Sequence, residues 1–153
     1  MDFYAKREGG IGYTGHRPDH DRELGTWLSF DLGRNYFGCL NALMSIADVE
    51  AGEKQREHFE GEGYDVEFAP DTVTVAHRYL DDRATAYDFA EAKDAIEALW
   101  RCIITVPGSP QAIRVHRPDL PEHLADLVLW ETQWQRRHPY RGRIEGIPAD
   151  GPA

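Results

Sequence analysis

Tyr64-Asp65-Val66-Glu67-Phe68, then Pro70-Asp71, then Thr72-Val73-Thr74-Val75-Ala76-His77-Arg78-Tyr79 is the stretch that decides the fold. In the first run apolar and acidic residues alternate, the period of a strand with one face buried and the other in water. Proline pre-sets the backbone of the turn that follows. The next run is β-branched and alternating, which suits a pleated surface. Leu80-Asp81-Asp82 reads as a second turn and Arg83-Ala84-Thr85-Ala86-Tyr87 as a third strand. The period then changes. Ala92, Ile96, Leu99 and Ile103 fall on one helical face and Asp94, Glu97 and Arg101 on the other, with Asp88 placed as N-cap and Glu91 in the first turn. Strands running into an amphipathic helix predict an α+β fold.

Working outward, Asp2 to Glu8 reads as a strand and Gly9 to Gly15 as a flexible glycine-rich stretch. The glycines do not have the spacing of a phosphate-binding loop. Arg17 to Asp21 reads as a loop and Thr26 to Asp31 as another strand. Tyr36, Phe37, Leu40, Leu43, Met44 and Ala47 recur at helical spacing, and Glu53 to Glu60 reads as a further, very polar helical piece ended by Gly61-Glu62-Gly63. A last helix is expected from Leu120 to about Arg137, with Asp119 and Glu122 at capping spacing and Pro121 in the first turn. Pro107-Gly108-Ser109-Pro110 is expected to stop the preceding helix. The sum is an antiparallel sheet of four or five strands with three helices mainly on one face. Residues 1–143 would make one domain and residues 144–153 a flexible tail.

Composition narrows the function. The chain has 153 residues and a formal charge of −10. Residues 44–97 carry 15 acidic and 5 basic side chains, so they hold the whole excess, while residues 1–43 and 98–153 are close to neutral. Such a field repels nucleic acid and attracts basic partners. Arg136, Arg137, Arg141 and Arg143 form a short basic cluster, with Tyr140 inside it, that is too small for a nucleic-acid footprint. The apolar runs are too short to span a bilayer, and no signal-like segment opens the chain, so a cytoplasmic location is expected. Cys39 and Cys102 sit in apolar helical patterns and read as buried free thiols.

Motifs for chemistry are missing. HExxH, CxxC and GxSxG do not occur. His16 and His20 are four apart, but Pro18 between them suggests a loop and no third ligand is near in sequence, so neither metal nor cofactor is expected. The tetrapeptide His-Arg-Pro-Asp occurs at 16–19 and 116–119 with unlike flanks, which argues against a repeat. Acidic residues in and around the hairpins, Glu60, Glu62, Asp65, Glu67, Asp81 and Asp82, are the candidate partner-binding set. Their face would complement a basic enzyme surface or imitate a phosphate backbone. Two alternatives stay open. One is a small enzyme using His77 with a carboxylate in a sheet–helix pocket. The other is an oligomerising subunit using Trp130, Trp134 and Tyr140 on and just after the last helix.

Glu62-Gly63-Tyr64-Asp65-Val66-Glu67-Phe68, Thr72-Val73-Thr74-Val75 and Ala90 to Ile104 resemble small YacL-type proteins and the immunity proteins of bacterial contact-dependent inhibition and polymorphic-toxin systems. The resemblance covers about a third of the chain and brings no motif with it. It implies a compact α+β binding protein that occludes the basic active site of a toxin or nuclease. No functional residue is carried over from it.

Overall fold

The computed structural model describes residues 1–108 and 111–153. Ser109 and Pro110, part of the expected helix stop, lie outside the described residues. The fold is α+β. Strands β1 (Asp2–Ala5) and β2 (Ile11–Thr14) form a two-stranded antiparallel sheet. Strands β3 (Glu57–Glu60), β4 (Tyr64–Phe68), β5 (Thr72–His77) and β6 (Ala84–Asp88) form an antiparallel meander in that order. The helices are α1 (Pro18–Thr26), α2 (Tyr36–Glu50), α3 (Phe89–Ile103) and α4 (Glu122–Trp134), and α1 continues as a π-helical segment, Trp27–Leu32.

The meander follows the alternation in the sequence. Tyr64, Val66 and Phe68 on β4, with Val73 and Val75 on β5 and Tyr87 on β6, are buried under α1, α2 and α3. Asp65 and Glu67 face the other way, paired across the sheet with Ala76 and Thr74. Among the described residues no helix lies against that outer face, so the side-chain period of two separates core from solvent. Helix α4 lies on α2, where Trp130 is fully buried and donates Nε1–H to Asn41 Oδ1 at 2.9 Å.

Several expectations are corrected. Thr26 to Asp31 is helical rather than a strand: Leu24, Trp27, Leu28 and Leu32, at three- and four-residue spacing, are all buried. Arg17 to Asp21 is largely the first turn of α1, with Pro18 at a position where its missing N–H costs nothing. Gly9 to Gly15 contains β2, and Glu53 to Glu60 ends in β3, an edge strand whose only apolar residue is Phe59. Among the described residues there are thus four α-helices, not three, and a second small sheet. Asp119 does not cap α4, because Arg117 holds its carboxylate through two bonds of 3.0 Å, and the helix begins after Pro121.

Residues 144–153, expected as a loose tail, are mostly exposed from Pro148 on, but two residues at their start are buried. Ile147 is fully buried and Ile144 nearly so, and the Trp100 indole donates to the Glu145 carbonyl at 2.7 Å. Cys39 is a buried free thiol as expected, and burial pushes its pKa up; Cys102 is free but only half-buried.

His138 locks this C-terminal layer. It is 1% exposed, its Nε2 lies 2.9 Å from the Leu40 carbonyl, and its Nδ1 accepts the Tyr140 N–H at 3.0 Å. This pattern uses one ring N–H and one ring lone pair, which is the neutral imidazole. Burial accordingly pushes its pKa down to about 4. The unfolded chain titrates near the ordinary value of 6.5, so between 6.5 and about 4 it binds a proton that the folded state refuses. Stability is therefore expected to fall as pH drops through that window, by up to about 3 kcal/mol from this residue. Denaturant unfolding at pH 7.5 and pH 5 should show the loss, and His138→Gln should flatten the slope whatever it does to absolute stability. An equal slope in the variant would assign the pH dependence elsewhere.

Candidate partner-binding face

The 61–63 turn between β3 and β4 and the 78–83 turn between β5 and β6 lie at the same end of the meander, because both close the upward strands of an antiparallel sheet. Arg78 ties them together. Its N–H donates to the Gly63 carbonyl at 2.9 Å and its guanidinium to the Gly61 carbonyl at 2.7 Å. Asp31, from the π-helical segment, closes the arrangement by accepting the N–H groups of Gly63 and Tyr64 at 3.0 Å each. A β-carbon on Gly61 would stand 2.4 Å from Asp31 Oδ2, so this turn is shaped around that carboxylate.

The second turn is anchored from beneath. Arg83 makes a bidentate contact with Glu23, at 3.0 and 2.9 Å, and Glu23 is only 1% exposed. Tyr64 Oη adds a bond at 3.1 Å and Arg22 Nε one at 2.9 Å. Burial alone would raise the Glu23 pKa; the bonds from Arg83, Arg22 and Tyr64 outweigh it and hold the carboxyl below its ordinary value. Within the turn, His77 N–H donates to the Arg83 carbonyl at 2.7 Å and Arg83 N–H to the Leu80 carbonyl at 3.1 Å.

On this framework the six expected residues divide. Glu60, Glu62, Asp81 and Asp82 are exposed and make no ion pair among the described residues. Asp65 and Glu67 lie on the outer sheet face and are partly neutralised, Asp65 by Arg78 at 3.8 Å and Glu67 by Arg56. The acidic character is therefore strongest at the turns rather than across the sheet. The sequence reading missed the apolar residues among them. Tyr79 is 73% exposed, Leu80 44%, and Phe30, next to Asp31, 83%. Their signal was position alone: two sit in a turn and one breaks the buried spacing of its helix.

His77 serves the turn. Its Nδ1 accepts the Tyr79 N–H at 3.1 Å and its ring stands 5.2 Å from that of Tyr64. It does not line the cleft of about 450 Å³ found elsewhere between α1 and α3. Of the expected oligomerisation set, Trp130 and Tyr140 are core residues, and Trp134, 44% exposed, stacks on Trp130 at 5.6 Å.

Gly61→Ala is expected to destabilise the protein by about 1–3 kcal/mol through the clash with Asp31. In an Asp31→Ala background the same change should cost clearly less, since the two residues share one contact. Denaturant melts of the four proteins measure the coupling, and strict additivity would mean that the carboxylate does not shape the turn. Compared with family models, with curated proteins and with solved structures, the chain has no match in any of the three.

Proposed function

We propose that this chain is a non-enzymatic acidic binding protein that covers a basic surface of another protein, in the manner of an immunity or antitoxin-like inhibitor of a basic toxin or nuclease. The observation that carries the reading is the pairing of exposed apolar anchors with unpaired carboxylates on one fixed end of the sheet. Tyr79 and Leu80 leave apolar surface in water with Asp81 and Asp82 next in the same turn; Glu60 and Glu62 are on the turn that Arg78 ties to it, and exposed Phe30 precedes Asp31, which holds that turn. Large side chains in water forgo about 25 cal/mol for each Å² that burial would recover. Aromatic anchors within a charged rim are the arrangement in which a few residues carry most of an interface's energy. The charges select a basic partner and speed encounter with it.

Rigidity also supports this role. Turns held by Arg78, Asp31 and Arg83 lose little freedom on binding, so more of the contact energy is left for affinity. The cytoplasmic location expected from the sequence belongs to this same reading; no helix among the described residues is long and apolar enough to cross a membrane.

The test is capture from a lysate of the native host with matched baits. The wild-type chain should retain a protein of high isoelectric point. The triple variant Glu62→Lys, Asp81→Lys, Asp82→Lys should lose it, and the loss should resemble that caused by raised salt. Tyr79→Ala should speed dissociation of the purified complex about tenfold or more, whereas Glu53→Lys, on the connection before β3, should leave it unchanged. Capture that is indifferent to the triple variant and to Tyr79→Ala would overturn the assignment of this face.

A further inference from the structure

We propose that His20, Asp21 and Glu91 form a binding site for a divalent transition-metal ion where α1 meets the start of α3, beside a cleft that Asp21 and Glu91 line. The cleft has a volume of about 450 Å³ and lies at the Asp88 end of β6, away from the 78–83 turn. His20 and Asp21 come from the first turns of α1, and Glu91 from the first turn of α3, 71 residues later. One ligand atom of each lies within 4.8 Å of the others. His20 Nε2 stands 3.1 Å from Glu91 Oε1 and 3.4 Å from Oε2. Ligands at about 2.0–2.1 Å from a tetrahedral ion stand roughly 3.3 Å apart, so this edge of the polyhedron is already set.

The donors are held rather than merely near. The His20 ring packs against Tyr87 at 4.8 Å, and the Tyr87 hydroxyl donates to the His20 carbonyl at 2.6 Å while accepting the Leu24 N–H at 3.0 Å. That fixes the backbone and the ring plane of the imidazole, as supporting residues do at metal centres. Asp21 is 6% exposed and has one oxygen on the Arg17 N–H at 3.0 Å, which leaves the second for the cleft. Gly15 admits it: a β-carbon there would come within 2.7 Å of the Asp21 carboxylate.

Charge favours a cation. Asp21, Asp88, Glu91 and Asp94 line the cleft with one arginine, Arg17, and with Met1; His16 is also on the lining as a further nitrogen donor. Arg17, largely exposed, contacts Glu91, and a metal would take its place there. An imidazole among carboxylates suits zinc or manganese, while magnesium and calcium prefer oxygen alone.

Tag-free full-length protein, stripped with chelator, is titrated with Zn²⁺ by calorimetry, with bound metal counted by mass spectrometry and Mg²⁺ as the comparison ion. One Zn²⁺ per chain is expected, with a rise in melting temperature and no saturable binding of Mg²⁺. His20→Ala and Glu91→Gln should each weaken binding at least about tenfold, with circular dichroism confirming the fold. Arg17→Ala should bind as tightly or more tightly, because it removes the competing cation. Absence of saturable Zn²⁺ binding, or wild-type affinity in both ligand variants, overturns the proposal. So does loss of binding in His58→Ala, which would move the ion to the outer-face group of His58, Glu60 and Asp65.

Discussion

A carboxylate taken out of water has to find several hydrogen-bond donors, and the position of Glu23 makes the rest of this fold answer that demand. Its effective desolvation cost is several kcal/mol. Two bonds from Arg83 and one each from Arg22 and Tyr64 offset it, with each bond to a charged group worth about 1.5–3 kcal/mol. Those donors come from α1 itself, from the start of β4 and from the turn before β6. To satisfy one side chain, the first helix must therefore lie against the open end of the meander. Asp31, two turns on, repeats the solution with backbone N–H groups of the neighbouring turn. Helix α1 and its π-helical continuation thus act as a strut along the sheet. Its late residues brace the turns that carry Tyr79, Asp81 and Asp82, while its first residues bring His20 and Asp21 to Glu91.

Where the sequence could be read, the signal was local. The two hairpins of β4 to β6 were legible because one face is buried and the other wet, so each residue declares its side every second position. Helices α2 and α3 were legible through their apolar stripes. Strand β3 was not, because Glu57-His58-Phe59-Glu60 lies at an edge and offers one apolar residue. The segment after Gly25 misled for a different reason. Trp27-Leu28-Ser29-Phe30 alternates over a short window, and only the longer series of Leu24, Trp27, Leu28 and Leu32 discloses the helix. The Pro and Gly content of residues 144–153 hid the burial of Ile144 and Ile147, two apolar residues three apart.

The candidate faces were legible only in part. Charge can be counted from a sequence, so Glu60, Glu62, Asp81 and Asp82 were found. Exposure of an aromatic residue cannot be counted, since apolar side chains are ordinarily assigned to the core, and Tyr79 and Phe30 were passed over. The cleft was invisible for a stronger reason. His16 and His20 looked like a pair lacking a partner because the partner is supplied by tertiary structure, across 71 residues of chain.

The uneven charge of the chain acquires a second meaning in three dimensions. Arginines of the last third reach back to acids of the middle third: Arg136 to Asp48, Arg143 to Glu50 and Arg101 of α3 to Glu97, while Arg101 also holds Glu145 within the last third. Arg141 holds Glu131 and the carbonyls of Pro148 and Pro152. Three arginines of the basic cluster, Arg136, Arg141 and Arg143, are thereby paired with carboxylates of the folded chain, while Arg137 donates to the Ala149 carbonyl. That pairing leaves acids in water at both candidate sites. Glu60, Glu62, Asp81 and Asp82 remain at the turn end of the sheet, and Asp88 and Asp94 beside the cleft. Other exposed acids, among them Asp19, Glu53, Asp71 and Glu122, lie elsewhere on the surface. What sets these two places apart is that the strut of α1 meets the sheet at one and α3 at the other, so a cation attracted there, a basic side chain or a metal ion, meets a part of the structure already held in place.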